Sequence, residues 1–176
     1  MQNITSAFSH PPSLIETKYW IFFICGTPKT TLLDVFGRQL AEHSIKHVVR
    51  LSHDMYPTEN LEKDGVQFHD WAFPDGDSPP PEFLNQWFEL LESIAAKKDS
   101  ASKPTIAVHC SAGLGRAPEF VCCALIEFGM DPADALALVR KHRKDALNKK
   151  QVSYVLGYKK SKKRKLSLSD GVCCIV

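Results

Sequence analysis

The stretch Thr105–Ala117, TIAVHCSAGLGRA, decides how the rest of the chain is read. Thr105–Val108 has the β-branched, apolar make-up of a short buried strand, and a helical pattern follows from Pro118 to Phe128. Between them lie His109, Cys110, Ser111, Ala112, Gly113, Leu114, Gly115 and Arg116. A loop with two glycines that enters a helix N-terminus can turn successive backbone N–H groups toward one point and cradle a tetrahedral anion. Cys110 opens that loop and Arg116 closes it, so a thiol and a guanidinium face the same anion. The amides, the helix dipole and the arginine all favour the thiolate, which is the nucleophilic form. Arg116 can also hold two anion oxygens in a bidentate fork. A purely structural strand–turn–helix would leave the two glycines and the arginine without a reason for their places.

Working outward, Leu14–Cys25 predicts one or two strands, and Thr30/Thr31 open a helix with Leu32, Leu33, Phe36 and Leu40 on one side. His47–Leu51 and Val66–Trp71 read as short strands. Phe83, Leu84, Trp87, Phe88, Leu91 and Ile94 recur at helical spacing. Three helical stretches close the chain: Pro118–Phe128, Pro132–Arg143 and Lys149–Gly157, the second with Asp131 as N-cap and Pro132 at its first position. Strands alternating with helices predict an α/β domain, a central mainly parallel sheet flanked by helices. Such sheets place ligand sites at the carboxyl ends of their strands, where Cys110 falls. The expected organisation is a loose N-terminal arm (1–13), one globular domain (14–158) and a basic tail (159–176).

Composition narrows the function classes. The 176 residues, 44% hydrophobic and 24% charged, fit one domain that can hold a core without disulfides or metal. The net charge of +2 averages two unlike parts: residues 159–176 carry six Lys/Arg against one Asp, the rest sixteen against nineteen Asp/Glu. An acidic body with a basic tail is not a nucleic-acid-binding composition. The apolar run Tyr19–Cys25 has seven residues, far short of the ~20 a spanning helix needs. No signal-peptide layout precedes it, so a cytosolic chain beginning at Met1 is expected, and Gln2 excludes N-myristoylation. The six cysteines include no Cys-x-x-Cys and the histidines no zinc spacing, so neither metal nor other cofactor is expected.

A thiolate that displaces an oxygen leaving group needs a general acid. Asp75, in Trp71-Ala72-Phe73-Pro74-Asp75-Gly76, lies thirty-five residues before Cys110 in a loop whose Pro and Gly suit a mobile lid. Asp70 and Asp77 compete locally. Asp70 precedes Trp71, the expected hinge anchor, and should cap or pair nearby; Asp77 lies further out.

The Cys-x5-Arg segment is the arrangement of cysteine-dependent phosphatases. HCSAGLGRAP, WAFPDG and the terminal CCIV together resemble the PRL phosphatases (phosphatases of regenerating liver, type IVA protein tyrosine phosphatases). The likeness spans roughly residues 14–158 plus the tail, and includes Tyr56 on a plausible active-site rim and the run Asn148–Tyr154 with Gln151. It implies a compact dual-specificity-phosphatase fold and a metal-free reaction through phosphocysteine. By position Cys110 would be the nucleophile, Arg116 the phosphate-binding arginine and Asp75 the acid. The amides of residues 111–116 would form the cradle, with His109 in support. Ala117 stands where most relatives of this loop carry a Ser or Thr that helps the thiolate leave, so slow turnover is expected. Ser52 stands where family members often have a cysteine able to form a disulfide with the nucleophile. Cys122 and Cys123, on the following helix, read as core thiols.

Lys159–Lys165 is a polybasic run, and Cys173-Cys174-Ile175-Val176 fits a prenylation signal on Cys173. One isoprenoid plus a basic patch is an adequate pair of membrane signals. The expected location is the cytoplasmic face of plasma or endosomal membranes, or cytosol and nucleus if unprenylated. The substrate expected is a phosphoprotein, with a phosphoinositide less favoured. The resemblance also implies a second class of function: a pocket that receives an acidic loop of CNNM (cyclin M) magnesium-transport mediators, with catalysis secondary. It allows homo-oligomers.

Overall fold

Five strands form one sheet: β1 (Ser13–Glu16), β2 (Ile21–Gly26), β3 (His47–Arg50), β4 (Gln67–Asp70) and β5 (Thr105–Cys110). Their spatial order is β1-β2-β5-β3-β4, with only the β1–β2 pair antiparallel. This computed structural model describes residues 7–53, 55–97 and 103–161. The expected α/β architecture is the one found.

Strand periodicity divides the core in two. Phe22, Ile24, Val49, Ile106 and Val108 face one cluster; Phe23, Cys25, Val48 and Ala107 face the other. The first face is covered by α3 (Pro81–Ala96), α4 (Arg116–Glu127), α5 (Pro132–His142) and α6 (Lys149–Gly157). The second is covered by α1 (Leu33–Glu42) and the five-residue α2 (Glu59–Lys63). β5 lies in the middle, and Ile106, Ala107 and Val108 are fully buried. Covered on both sides, the central strand reads as a continuous apolar run rather than an alternation. Trp87 ties α3 to α4 by donating its indole N–H to Phe120 O at 3.0 Å.

Two expectations need correction. The arm is not loose where it is described: Ala7 and Phe8 are buried, with Phe8 edge-on to Phe36 at 5.8 Å. The helix after the loop begins at Arg116 rather than Pro118. Pro118 sits in its first turn, where the missing N–H has no intrahelical partner to lose. The short α2 has no counterpart in the sequence reading.

The parallel strands β2, β5, β3 and β4 all end at one edge, delivering Thr27, Cys110, Leu51 and Trp71 to the same end of the sheet. No helix among the described residues is long and apolar enough to cross a membrane.

Candidate active site

Cys110 is the last residue of β5, 2% exposed, and Arg116 is the first of α4, 4% exposed. The loop between them is built from its carbonyl side. Thr27 takes two oxygens: its hydroxyl donates to Cys110 O at 3.4 Å and its N–H to Ser111 O at 3.1 Å. Arg143 takes the next two, donating from Nη2 to Ala112 O at 3.0 Å and from Nε to Gly113 O. Leu147 N–H donates to Leu114 O at 2.7 Å, and Glu119 N–H to Gly115 O at 3.1 Å. No peptide bond here is cis. In a trans peptide the C=O and the following N–H point oppositely. Engaging the oxygens of residues 110–115 therefore turns the N–H groups of residues 111–116 the other way, toward the anion site expected from the sequence.

The glycines are placed by contact as well as conformation. Gly113 has φ +70°, and a Cβ there would lie 2.3 Å from Cys25 O. At Gly115 a Cβ would sit 3.0 Å from Gln151 Nε2 and 3.6 Å from Asp75 Oδ1. Gly115 thus leaves the gap through which α6 and the acid loop approach the cradle.

Arg116 spends its donors on three elements. Nη1 donates to Leu51 O and Phe73 O, both at 2.8 Å, and Nη2 to Ser111 Oγ at 3.0 Å. Nε lies 3.1 Å from Asp75 Oδ1. Asp75 is 75% exposed, so its carboxyl faces the open side of the site. Of its two competitors, Asp70 pairs with Arg50 in a fork (2.5 and 2.7 Å), and Asp77 pairs with Lys150 at 2.6 Å. Trp71 continues the sheet by donating its N–H to Arg50 O at 2.9 Å.

Supporting residues fall on both sides. Gln151 is buried within the capping box of α6, exchanging bonds with Asn148 at 2.9 and 3.1 Å. Ala117 is buried directly after Arg116. His109 is fully buried and shares a 2.9 Å hydrogen bond with Tyr56 Oη. Tyr56 is therefore not on the rim: it is 5% exposed, packed behind the loop edge-on to Phe36 and Phe68 and tilted against His109. Burial raises its hydroxyl well above the usual phenol range, so it stays neutral. Sequence reasoning missed Thr27 and Arg143 altogether. No group of three or more His, Cys, Asp or Glu among the described residues could hold a metal.

Comparison with known proteins assigns the family. The family model "Swiss Army Knife protein, DSP-PTPase phosphatase domain" matches residues 25–163. The chain is 42% identical over 163 residues to a probable protein tyrosine phosphatase type IVA A of Dictyostelium discoideum, covering 93% of this chain and 96% of the relative. It belongs to the PRL family of protein tyrosine phosphatases. Human protein tyrosine phosphatase type IVA 3 is 36% identical over 170 residues, with 94% and 95% covered. A solved structure, a putative protein tyrosine phosphatase of Leishmania major, superposes with a TM-score of 0.76 at 33% identity, over 85% of this chain and 99% of that one. As a PRL phosphatase the chain is a hydrolase, and phosphoprotein substrates follow from that class.

Within this PRL domain Ser52, at the position of the family's frequent second cysteine, is buried and lies 3.3 Å from Thr27 Oγ1. Cys173 lies outside the described residues.

Proposed function

We propose that this PRL-family enzyme hydrolyses phosphotyrosine, and phosphoserine or phosphothreonine by the same chemistry, through a phosphocysteine on Cys110. Sγ of the thiolate attacks phosphorus, the ester P–O bond breaks, and Asp75 gives its proton to the leaving oxygen. The inward amides of residues 111–116 and the Arg116 guanidinium hold the phosphoryl oxygens through the transition state. Asp75, now a carboxylate, then takes a proton from the water that attacks the phosphocysteine, and the thiolate leaves. The observation that carries this reading is the meeting of three parts at one strand end: Cys110 on β5, Arg116 on α4, and Asp75 Oδ1 at 3.1 Å from Arg116 Nε. Rapid-quench kinetics on an aryl phosphate, with mass detection of the trapped intermediate, tests it. Phosphate on Cys110, absent in Cys110→Ser, is expected; an enzyme that turns over without it would refute the route.

Turnover is slow in this reading because Ala117 offers no hydroxyl to the departing thiolate. A long-lived phosphocysteine also favours a second use of the pocket, as a switchable binding site for an acidic loop of a CNNM-type membrane protein. A pull-down comparing wild type, Cys110→Ser and Arg116→Ala separates the two, since binding that survives Cys110→Ser owes nothing to turnover.

The tail supports placement at an anionic membrane, with the basic run and a prenylated Cys173 acting together. Cys173→Ser should release the protein from membranes and Cys174→Ser should not; the reverse result refutes the assignment.

A further inference from the structure

Arg143 is 4% exposed, and none of the ion pairs among the described residues includes it. All its acceptors are neutral: Ala112 O, Gly113 O, Pro11 O at 2.8 Å and Ser13 Oγ at 3.2 Å. A buried guanidinium is normally matched by a carboxylate, because its desolvation is costly. Here burial lowers the guanidinium from its ordinary value, and the nearby groups that favour its charge are the thiols of Cys25 and Cys110.

We propose that Arg143 is the second arginine of the phosphate site, a positioning residue that acts from behind the loop. Arg116 meets the anion directly; Arg143 never touches it. By gripping the carbonyls of Ala112 and Gly113, Arg143 fixes the two peptides whose N–H groups belong to Gly113 and Leu114. Those amides then point at the anion before it arrives, which is electrostatic preorganisation of the kind that stabilises a transition state. The position of Gly113 agrees, since a Cβ there would come within 2.6 Å of Arg143 Nη2. The uncompensated charge adds a second effect: a bound phosphate dianion, or the Cys110 thiolate, supplies the counter-charge that the fold withholds. The N-terminal segment takes part, because Pro11 and Ser13 hold the other end of the same guanidinium, and Ser13 Oγ also donates to His142 O at 2.9 Å.

The inference rests on the loop being a phosphate cradle, and the test separates the two ideas. Inorganic phosphate is titrated into ¹⁵N-labelled wild type, Arg143→Gln and Arg143→Lys, and the amide signals of residues 111–116 are followed. Wild type should show phosphate-dependent shifts at all six, with Gly113 and Leu114 among them. In both variants the shifts at Gly113 and Leu114 should collapse while Gly115 and Arg116 still respond, and phosphate affinity should fall at least tenfold. Lysine restores the charge but cannot fork onto two carbonyls, so it should rescue little. If no loop amide responds in wild type, the cradle itself is wrong. Unchanged Gly113 and Leu114 shifts in either folded variant overturn the role of Arg143 alone. Should both variants fail to fold, the wild-type titration still decides, because Gly113 and Leu114 amides silent beside responding neighbours refute it.

Discussion

Arg116 Nη1 donates to the carbonyl of Phe73 at 2.8 Å, two residues before Asp75. The arginine that closes the cradle therefore also holds the backbone of the acid loop, and Asp75 comes to rest beside its Nε at 3.1 Å. In the proposed mechanism, loop closure and phosphate binding would share one guanidinium. A second fastening lies further out, where Asp77 meets Lys150 at the start of α6 at 2.6 Å, both side chains more than half exposed.

That outer pair sets a measurable prediction for Lys150→Ala. Exposed ion pairs contribute about 0.2–1 kcal/mol, which here biases the loop toward closure by up to roughly fivefold. The expected result is a fall in kcat of up to about fivefold with little change in KM, since Asp75 must sit on the closed loop to take the proton from water in the slow hydrolysis step, and binding needs the cradle. Added salt should bring wild type down toward the variant. Equal kcat for the two proteins at low salt would show that the pair does not govern closure.

Ala117→Ser should speed the second half-reaction. The new hydroxyl would sit one residue after Arg116, in the first turn of α4. One hydrogen bond to the departing thiolate contributes about 1 kcal/mol or somewhat more, so phosphoenzyme hydrolysis should rise roughly five- to tenfold. Rapid-quench traces report this directly, as a smaller burst followed by a steeper steady phase. An unchanged steady phase would assign the slow step to something other than position 117.

How much of this could be read in advance depends on distance along the chain. Strand, cradle and helix occupy one continuous segment, so local pattern alone located Cys110, Arg116 and the glycines. Helix Lys149–Gly157 was legible to the residue, because its Asn148/Gln151 capping box and its spacing agree. Thr27 and Arg143 were not, since they reach the loop from 83 and 30 residues away and carry no local signature. Tyr56 was placed on the wrong side of the loop for a related reason: a lone aromatic in a connection does not declare which face of the sheet it will cover. Helix α2 escaped because five residues with one buried side chain, Leu61, show no period.

Tyr56→Phe should test the support behind the proposed nucleophile. The phenol oxygen is the 2.9 Å partner of His109, which is fully buried immediately before Cys110. Removing it leaves a buried imidazole nitrogen without that bond, at a cost of about 1–3 kcal/mol. Urea denaturation should show the loss as a lower midpoint with unchanged slope. The ring itself stays, so its tilted contact with His109 at 5.6 Å persists and kcat/KM should fall only modestly. A midpoint equal to wild type would mean His109 finds another partner.

Glu119 gives the fold a pH dependence of defined sign. Its side chain is fully buried beside Gln151, and burial raises its carboxyl to about 8. Unfolded, the same group titrates near 4.5. Below the unfolded value both states are protonated and nothing is lost. Between the two values the folded state keeps a proton that the unfolded state has released, so stability falls as pH rises, by at most about 1.4 kcal/mol per unit. Above about 8 the loss is complete. Gln151 and, less strongly, the Lys150 charge oppose this and lower the value only in part. Glu119→Gln should flatten the slope between pH 5 and 8 and be the more stable protein at pH 8. Urea midpoints at several pH values check it, and parallel curves for the two proteins would refute it.

Oxidation of the site should run past the reversible stage. Cys110 Sγ belongs to the cluster on the α3–α6 face, whereas Cys25, one residue out of register on the neighbouring strand, belongs to the opposite face. Thiols whose Cβ vectors diverge across a sheet cannot join without backbone movement. Cys122 and Cys123 are buried in α4, and burial pushes the Cys122 thiol up to about 12, so neither supplies an attacking thiolate. Position 52, linked to Cys110 O through Thr27, holds a serine. Peroxide should therefore carry Cys110 through the sulfenic acid to sulfinic and sulfonic acids, with activity that thiol reductants do not restore. Ser52→Cys places a thiol beside the loop on the side where a resolving partner is missing, and should make most of the lost activity recoverable with dithiothreitol. Mass spectrometry of peroxide-treated protein decides the matter: a disulfide containing Cys110 in the wild-type chain would show that the sheet yields more than its register implies.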